Sequence, residues 1–160
     1  ESMRSEAAAL KKMLLAAAVL LAFAALPSPG TELGQLHPVS VLLVDRGERQ
    51  VTVQTDTGQL GTGETLTAAL RELRETTPGY IFLDTAAYLV LRGQAKSLLP
   101  ELQQLLRPGV RVCTADDPTD AEQLADFLKT HSPNARLSDI APETPLQNIH
   151  SMEGRLILEK

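Results

Sequence analysis

Apolar and polar positions along the chain fall into alternating rhythms of two and of three to four. Residues 39–44 are apolar except for Ser40, a β-rich run that ends at Asp45. After the turn Arg46-Gly47-Glu48, residues 50–55 alternate around Val51 and Val53, so the two runs predict a hairpin. Residues 57–63 are Gly-rich and are expected as a loop. Residues 64–76 place Leu66, Ala69, Leu70 and Leu73 on one helical face, with Thr62 expected as N-cap and Pro78-Gly79 as the stop. Residues 80–83 and 87–91 are β-prone, interrupted by Asp84-Thr85. Residues 94–106 carry a helical pattern that Pro100 either splits or restarts, and residues 110–115 read as a short strand. Asp117-Pro118 sets up a helix over about 119–130, with Asp117 as the cap, Pro118 in the first turn, and Ala121, Leu124, Ala125 and Leu128 inward.

Residues 132–145, with Pro133, Pro142 and Pro145, read as loop, and residues 155–159 as a last strand. The order is ββαβ(β)αβα plus a C-terminal strand. It predicts an α/β fold (α+β being the other option), a small mixed sheet with three helices packed on it. The domain is expected over residues 38–131, after a linker at 31–37. Residues 132–160 are expected as a Pro-containing tail, with 132–154 ordered only against something else.

The first thirty residues are a separate object. Arg4, Lys11 and Lys12 precede residues 13–26, a run without a charged or polar side chain, and Pro27, Ser28, Pro29 and Gly30 break it. That is the layout of a secretory signal peptide. A spanning helix wants about 20 apolar residues, so the run is short for an anchor. The expectation is a secreted protein, or one anchored on the outer face of the cytoplasmic membrane if residues 13–26 stay uncleaved. A buried amphipathic helix does not fit, since the run has no polar face.

Charge sharpens this. The formal net charge is −5 over 160 residues, and the leader holds three of the basic residues against only Glu1 and Glu6, so the remainder is more acidic still. An acidic body lacks the clustered Lys and Arg that phosphate contacts need, which excludes nucleic acid as a partner. The single cysteine excludes an internal disulfide. With 43% hydrophobic but only 3% aromatic residues, the core falls to Leu, Val, Ile and Ala.

Candidate chemistry is sparse. The stretch Gly58-Gln59-Leu60-Gly61-Thr62-Gly63 precedes a helix, where backbone N–H groups attract anions. It lacks the Gly-Lys-Ser/Thr ending of a P-loop and the GxGxxG spacing, and Glu64 would repel a phosphate. His37, His131 and His150 stand too far apart in sequence for metal-ligand spacing, and His131 suits a helix C-terminus. Cys113, mid-strand beside Asp116 and Asp117, reads as a buried inert thiol; Cys113 with His131 is the sole nucleophile–base pair to nominate. Asp116, Asp117, Asp120 and Glu122 lack EF-hand spacing and suit a helix start. Asp45 and Asp84 would make a general acid and base if folding brought them together, but nothing in the sequence fixes their separation, and both sit at strand ends, where turn chemistry is their ordinary use. No cofactor, metal or catalytic set is expected.

Taken in order, the segments resemble the N-terminal domain of the Ger(x)C spore-germination family, the C subunits of bacterial germinant receptors. The likeness is carried by Val41-Leu42-Leu43-Val44-Asp45-Arg46-Gly47 and Gln50-Val51-Thr52-Val53-Gln54. It continues through Gly63-Glu64-Thr65-Leu66 with Ala69-Leu70, then Tyr80-Ile81-Phe82 and Tyr88-Leu89-Val90-Leu91. Residues 98–106, Arg107-Pro108-Gly109-Val110-Arg111 and Val112-Cys113-Thr114 complete it, over roughly 38–130. Asp84 and Thr85 stand where the family often has a histidine, the lipobox cysteine is absent, and the family's larger C-terminal domains have no counterpart here. The resemblance implies a small, non-catalytic module outside the cytoplasmic membrane of a spore-forming bacterium, accessory to sporulation or germination and working by contact with a protein partner. The expected contact surface is Gly61, Gly63, Asp84 and Thr85. The alternative is an extracytoplasmic small-ligand-binding domain using residues 58–63.

Overall fold

The computed structural model describes residues 36–159. The signal-like segment and most of the 31–37 linker lie outside the described residues. The chain is mixed α/β, as its rhythms predict.

Among the described residues, seven strands form one sheet, in the spatial order β4-β3-β2-β6-β7-β8-β9. They are β2 (Val41–Arg46), β3 (Val51–Thr55), β4 (Leu60–Gly63), β6 (Tyr88–Gly93), β7 (Arg111–Ala115), β8 (Asn148–Met152) and β9 (Arg155–Glu159). β2, β6, β7 and β8 run parallel, while β3, β4 and β9 pair antiparallel at the two sides. A separate parallel pair joins β1 (Leu36–Pro38) to β5 (Tyr80–Phe82). Central parallel strands need cover on both faces, which is why 41–44 is an unbroken apolar run. β3 has one strongly covered face and alternates accordingly, with Val51 and Val53 buried.

Among the described residues, three helices supply the cover. α1 (Leu66–Thr76) and α2 (Leu99–Leu105) pack with Leu42, Val44, Val53, Leu89, Leu91 and Val112 on one face. α3 (Ala121–Thr130) packs with Val41, Leu43, Val90, Cys113 and Ile149 on the other. α1 buries the four residues its periodicity predicts. α2 follows a 3-10 turn over Ala95–Leu98, and Pro100 stands at its start, where a missing N–H costs nothing.

Several local expectations need correction. Residues 60–63 are the edge strand β4 rather than loop; the turn that precedes them bends at Gly58, at φ 89°. Thr62 therefore lies within a strand, and Thr65 caps α1, its hydroxyl accepting the Ala68 N–H at 3.2 Å. Asp120, not Asp117, caps α3 by accepting the Gln123 N–H at 3.0 Å, so Pro118 precedes the helix. An oxygen acceptor satisfies the N2 or N3 amide only from the last extended residue, and the chain stays extended to Thr65 and to Asp120.

The larger correction concerns residues 132–160. Leu137, Ile140 and Ile149 are core residues. Ala135 and Leu137 hydrogen-bond beside the start of β7, through Val112 N–H to Ala135 O at 2.9 Å and Leu137 N–H to Val110 O at 2.8 Å. β8 then pairs with the end of β7, and β9 returns through a two-residue turn, Glu153-Gly154, with φ values of 52° and 76°. β7 is apolar on both faces, so it requires a neighbour on its far side; the tail provides it.

Candidate functional site

The two rims of the sheet hold most of the polar sequence candidates, while Cys113 and Gly61 are buried under helices. At the rim where the parallel strands begin, side chains hold the entry to β2. The Thr85 hydroxyl accepts the Val39 N–H at 2.9 Å and lies 2.7 Å from the Phe82 carbonyl, which it is placed to donate to. One Asp56 carboxylate oxygen accepts from both Ser40 N–H at 2.9 Å and Val41 N–H at 3.2 Å. Asp84 is exposed in the 3-10 turn over Leu83–Thr85.

Beside Asp84 lies a feature that the pattern analysis did not single out. Tyr80 and Phe82, on β5, are 64% and 38% exposed, with ring centroids 5.2 Å apart in an edge-to-face pair, while Ile81 between them is buried. Aromatic residues two apart on a short strand share one face. In a chain with only two tyrosines and three phenylalanines, that spacing is the signal that would have found them. The same rim carries an open groove of about 500 Å³ lined by Tyr88, Arg107, Gly109, Arg111 and Ser132. The Arg111 guanidinium donates to the Pro133 and Asn134 carbonyls at 3.3 and 2.8 Å and so fixes the exit of α3.

Gly61 and Gly63 do not join this surface. Gly61 is buried under α1; a Cβ there would stand 2.2 Å from the Ala69 carbonyl oxygen and 2.6 Å from the Leu73 nitrogen. A Cβ on Gly63 would meet the Ala69 nitrogen at 2.6 Å. Both glycines let helix and strand approach closely, which is a packing role. Gly63 also pairs with Val51, at the end of β4 away from Thr85.

The opposite rim holds a crevice of about 450 Å³, lined by Asp45, Arg92, Gly93, Asp116 and Pro118. β6 leads to α2 on one face and β7 to α3 on the other. The crevice therefore stands at the switch point where open α/β sheets bind ligands. Its charged groups hold one another. Arg92 Nε donates to Asp45 Oδ2 at 2.8 Å, and Arg92 Nη1 donates to the Asp117 and Thr119 carbonyls at 3.2 Å each. Asn148 donates to Asp116 at 2.6 Å, and the Ser151 N–H donates to Asp117. The acidic cluster thus ties the β7–α3 connection to β6 and β8. Among the described residues, no group of three or more His, Cys, Asp or Glu side chains is arranged to hold a metal ion.

Asp45 and Asp84 lie at opposite rims, so they do not meet as an acid–base pair. Cys113 is fully buried beneath α3, and burial pushes its thiol up to about 12. His131 is exposed at the end of α3, its ring stacked on Phe127 at 4.4 Å and Nδ1 2.9 Å from the Thr130 hydroxyl. His37 Nε2 lies 2.7 Å from the Pro78 carbonyl, binding β1 to the turn before β5. His150 faces Glu159 across the β8–β9 hairpin at 3.8 Å.

Fold and rims define a small three-layer α/β domain whose strand-end side chains are spent largely on holding its own chain. Comparison with protein-family models, with curated proteins and with solved structures found no match.

Proposed function

We propose that the chain is an exported, non-catalytic protein-interaction module, akin to the N-terminal domain of germinant receptor C subunits and accessory to sporulation or germination. Its partner docks at the rim formed by Tyr80, Phe82, Asp84 and Thr85. The observation that carries this reading is the exposed aromatic pair beside Asp84. Aromatic residues are enriched at protein interfaces and Tyr is enriched among their energetic hot spots, so an exposed aromatic pair on one short strand offers apolar surface that a partner would bury. Export rests on residues 1–30, and the membrane enters as a partner through residues 13–26 where they stay uncleaved.

The test is site-specific photocrosslinking in native membranes. A crosslinker at Asp84 should trap one protein of the germination or sporulation apparatus, and Tyr80→Ser with Phe82→Ser should abolish the adduct. The same crosslinker at Glu122, on α3, should trap none. Equal labelling from both positions, or none from Asp84, defeats the reading. Intact mass of the recovered protein reads the leader: loss of about 26–30 residues means cleavage.

A second reading, a small-ligand-binding domain, is favoured by the Asp45–Arg92 crevice at the switch point rather than by residues 58–63. Saturable stabilisation by a small polar ligand, lost in Arg92→Ala, would support it.

A further inference from the structure

The sheet ends in two different edges. β4 is closed by its own helix: the Glu72 carboxylate on α1 accepts the Thr62 N–H and lies 2.7 Å from the Thr62 hydroxyl. Its glycines lie directly under α1, and the strand is only four residues long. These devices keep a second chain from adding to the sheet. At the other side, β9 has none of them. Among the described residues nothing pairs with its outer edge, and it contains no proline.

The sequence of β9 is Arg155-Leu156-Ile157-Leu158-Glu159, which is complementary to itself when reversed. We propose that β9 is a self-association strand, on which a second copy of this chain pairs antiparallel across a two-fold axis at Ile157. In that register Arg155 of each copy stands opposite Glu159 of the other, Leu156 opposite Leu158, and Ile157 opposite itself. Faces match as well as charges. Leu156 and Leu158 pack on the cluster beneath α3, and Ile157 stands opposite His150 on the other face. Pairing about a two-fold axis perpendicular to the sheet joins the leucines of both copies into one apolar surface, with Ile157 flanked by two ion pairs on the reverse.

The alternatives are disfavoured by the same residues. Parallel pairing sets Arg155 on Arg155 and Glu159 on Glu159, and like charges directly opposite destabilise a strand pair. A slip of two residues places Arg155 opposite Ile157 and breaks both ion pairs. Glu159 is available for the partner: its side chain is 70% exposed, and its contact with His150 is a loose 3.8 Å. Five residues a side make a small interface, so the dimer is weak, with a dissociation constant above about 1 μM.

Sedimentation velocity of the full chain over a concentration series tests this. The native protein should show a concentration-dependent dimer. Arg155→Glu and Glu159→Arg should each weaken self-association about tenfold or more, since each turns two attractive pairs into repulsive ones. Mixing the two variants should restore a dimer, because each then meets its complement. Matching circular dichroism melts show that the variants are folded. A native chain that stays monomeric throughout, single variants that dimerise like the native protein, or a mixture that fails to recover each overturns the proposal.

Discussion

Gly61 shows how one residue serves packing while its sequence context suggests a binding loop. Three glycines within six residues ahead of a helix invite a phosphate reading, yet Gly58 makes the turn and Gly61 and Gly63 admit a helix backbone. A methyl group at Gly61 would overlap the Ala69 carbonyl, and backbone cannot swing aside as a long side chain can. Gly61→Ala should therefore destabilise the fold by about 1–3 kcal/mol, the usual cost of overpacking, measured by urea denaturation. Its effect on partner binding should be nil wherever the variant stays folded. Cys113 behaves in the same way: the residue type invites chemistry, and burial removes it.

At the scale of elements, the join between α1 and β4 is the clearest unit. Glu72 sits on the α1 surface and reaches the free edge of β4, where the Thr62 hydroxyl and N–H hold its carboxyl below the usual carboxylate range. A lowered acid pKa contributes stability that is present above the ordinary carboxylate value and is lost as pH falls through the lowered one. Glu72→Gln should accordingly be less stable than the native chain at neutral pH, and the difference should shrink as the pH falls through the carboxylate range. Thermal melts at stepped pH check this; two curves that stay parallel into acid would refute it. The same helix also shows why cap residues are hard to choose from sequence. Thr62 and Thr65 both precede the apolar face, and β4 pairing withdraws the first. Likewise Asp117 and Asp120 both suit a helix start, and the Ser151 N–H engages the first.

For the whole molecule, the question is where the domain stops. Three prolines and a weak periodicity make residues 132–154 read as an appendage, whereas Leu137 and Ile140 fill the core under α2 and β8 covers β7. Gln103 on α2 donates to the Leu137 and Ile140 carbonyls at 2.9 Å each, stapling that segment in place. A chain truncated after residue 131 should lose cooperative unfolding, because β7 would become an unpaired edge and the core would lose Leu137, Ile140 and Ile149. Calorimetry checks it: a sharp transition in the truncated chain would mean that residues 38–131 fold alone. The proposed contact surface belongs to this scale too. Asp84 and Thr85 were legible as an interruption between strands, but their aromatic neighbours gain meaning only because β5 leaves the main sheet to pair with β1.

Hydrophobic rhythm determined the α/β class, the inward faces of α1 and α3, the β2–β3 hairpin and the burial of Cys113, because these follow from periodicities of two and 3.6. Only the tertiary structure decided that residues 60–63 are a strand, that residues 132–159 complete the sheet, and that Asp45 and Asp84 stand at opposite rims. The physical reason is common to all three. Strand partners and rim positions depend on which backbone groups meet across long stretches of chain, and short segments such as β4 and β8 carry too few side chains to announce the neighbour that stabilises them.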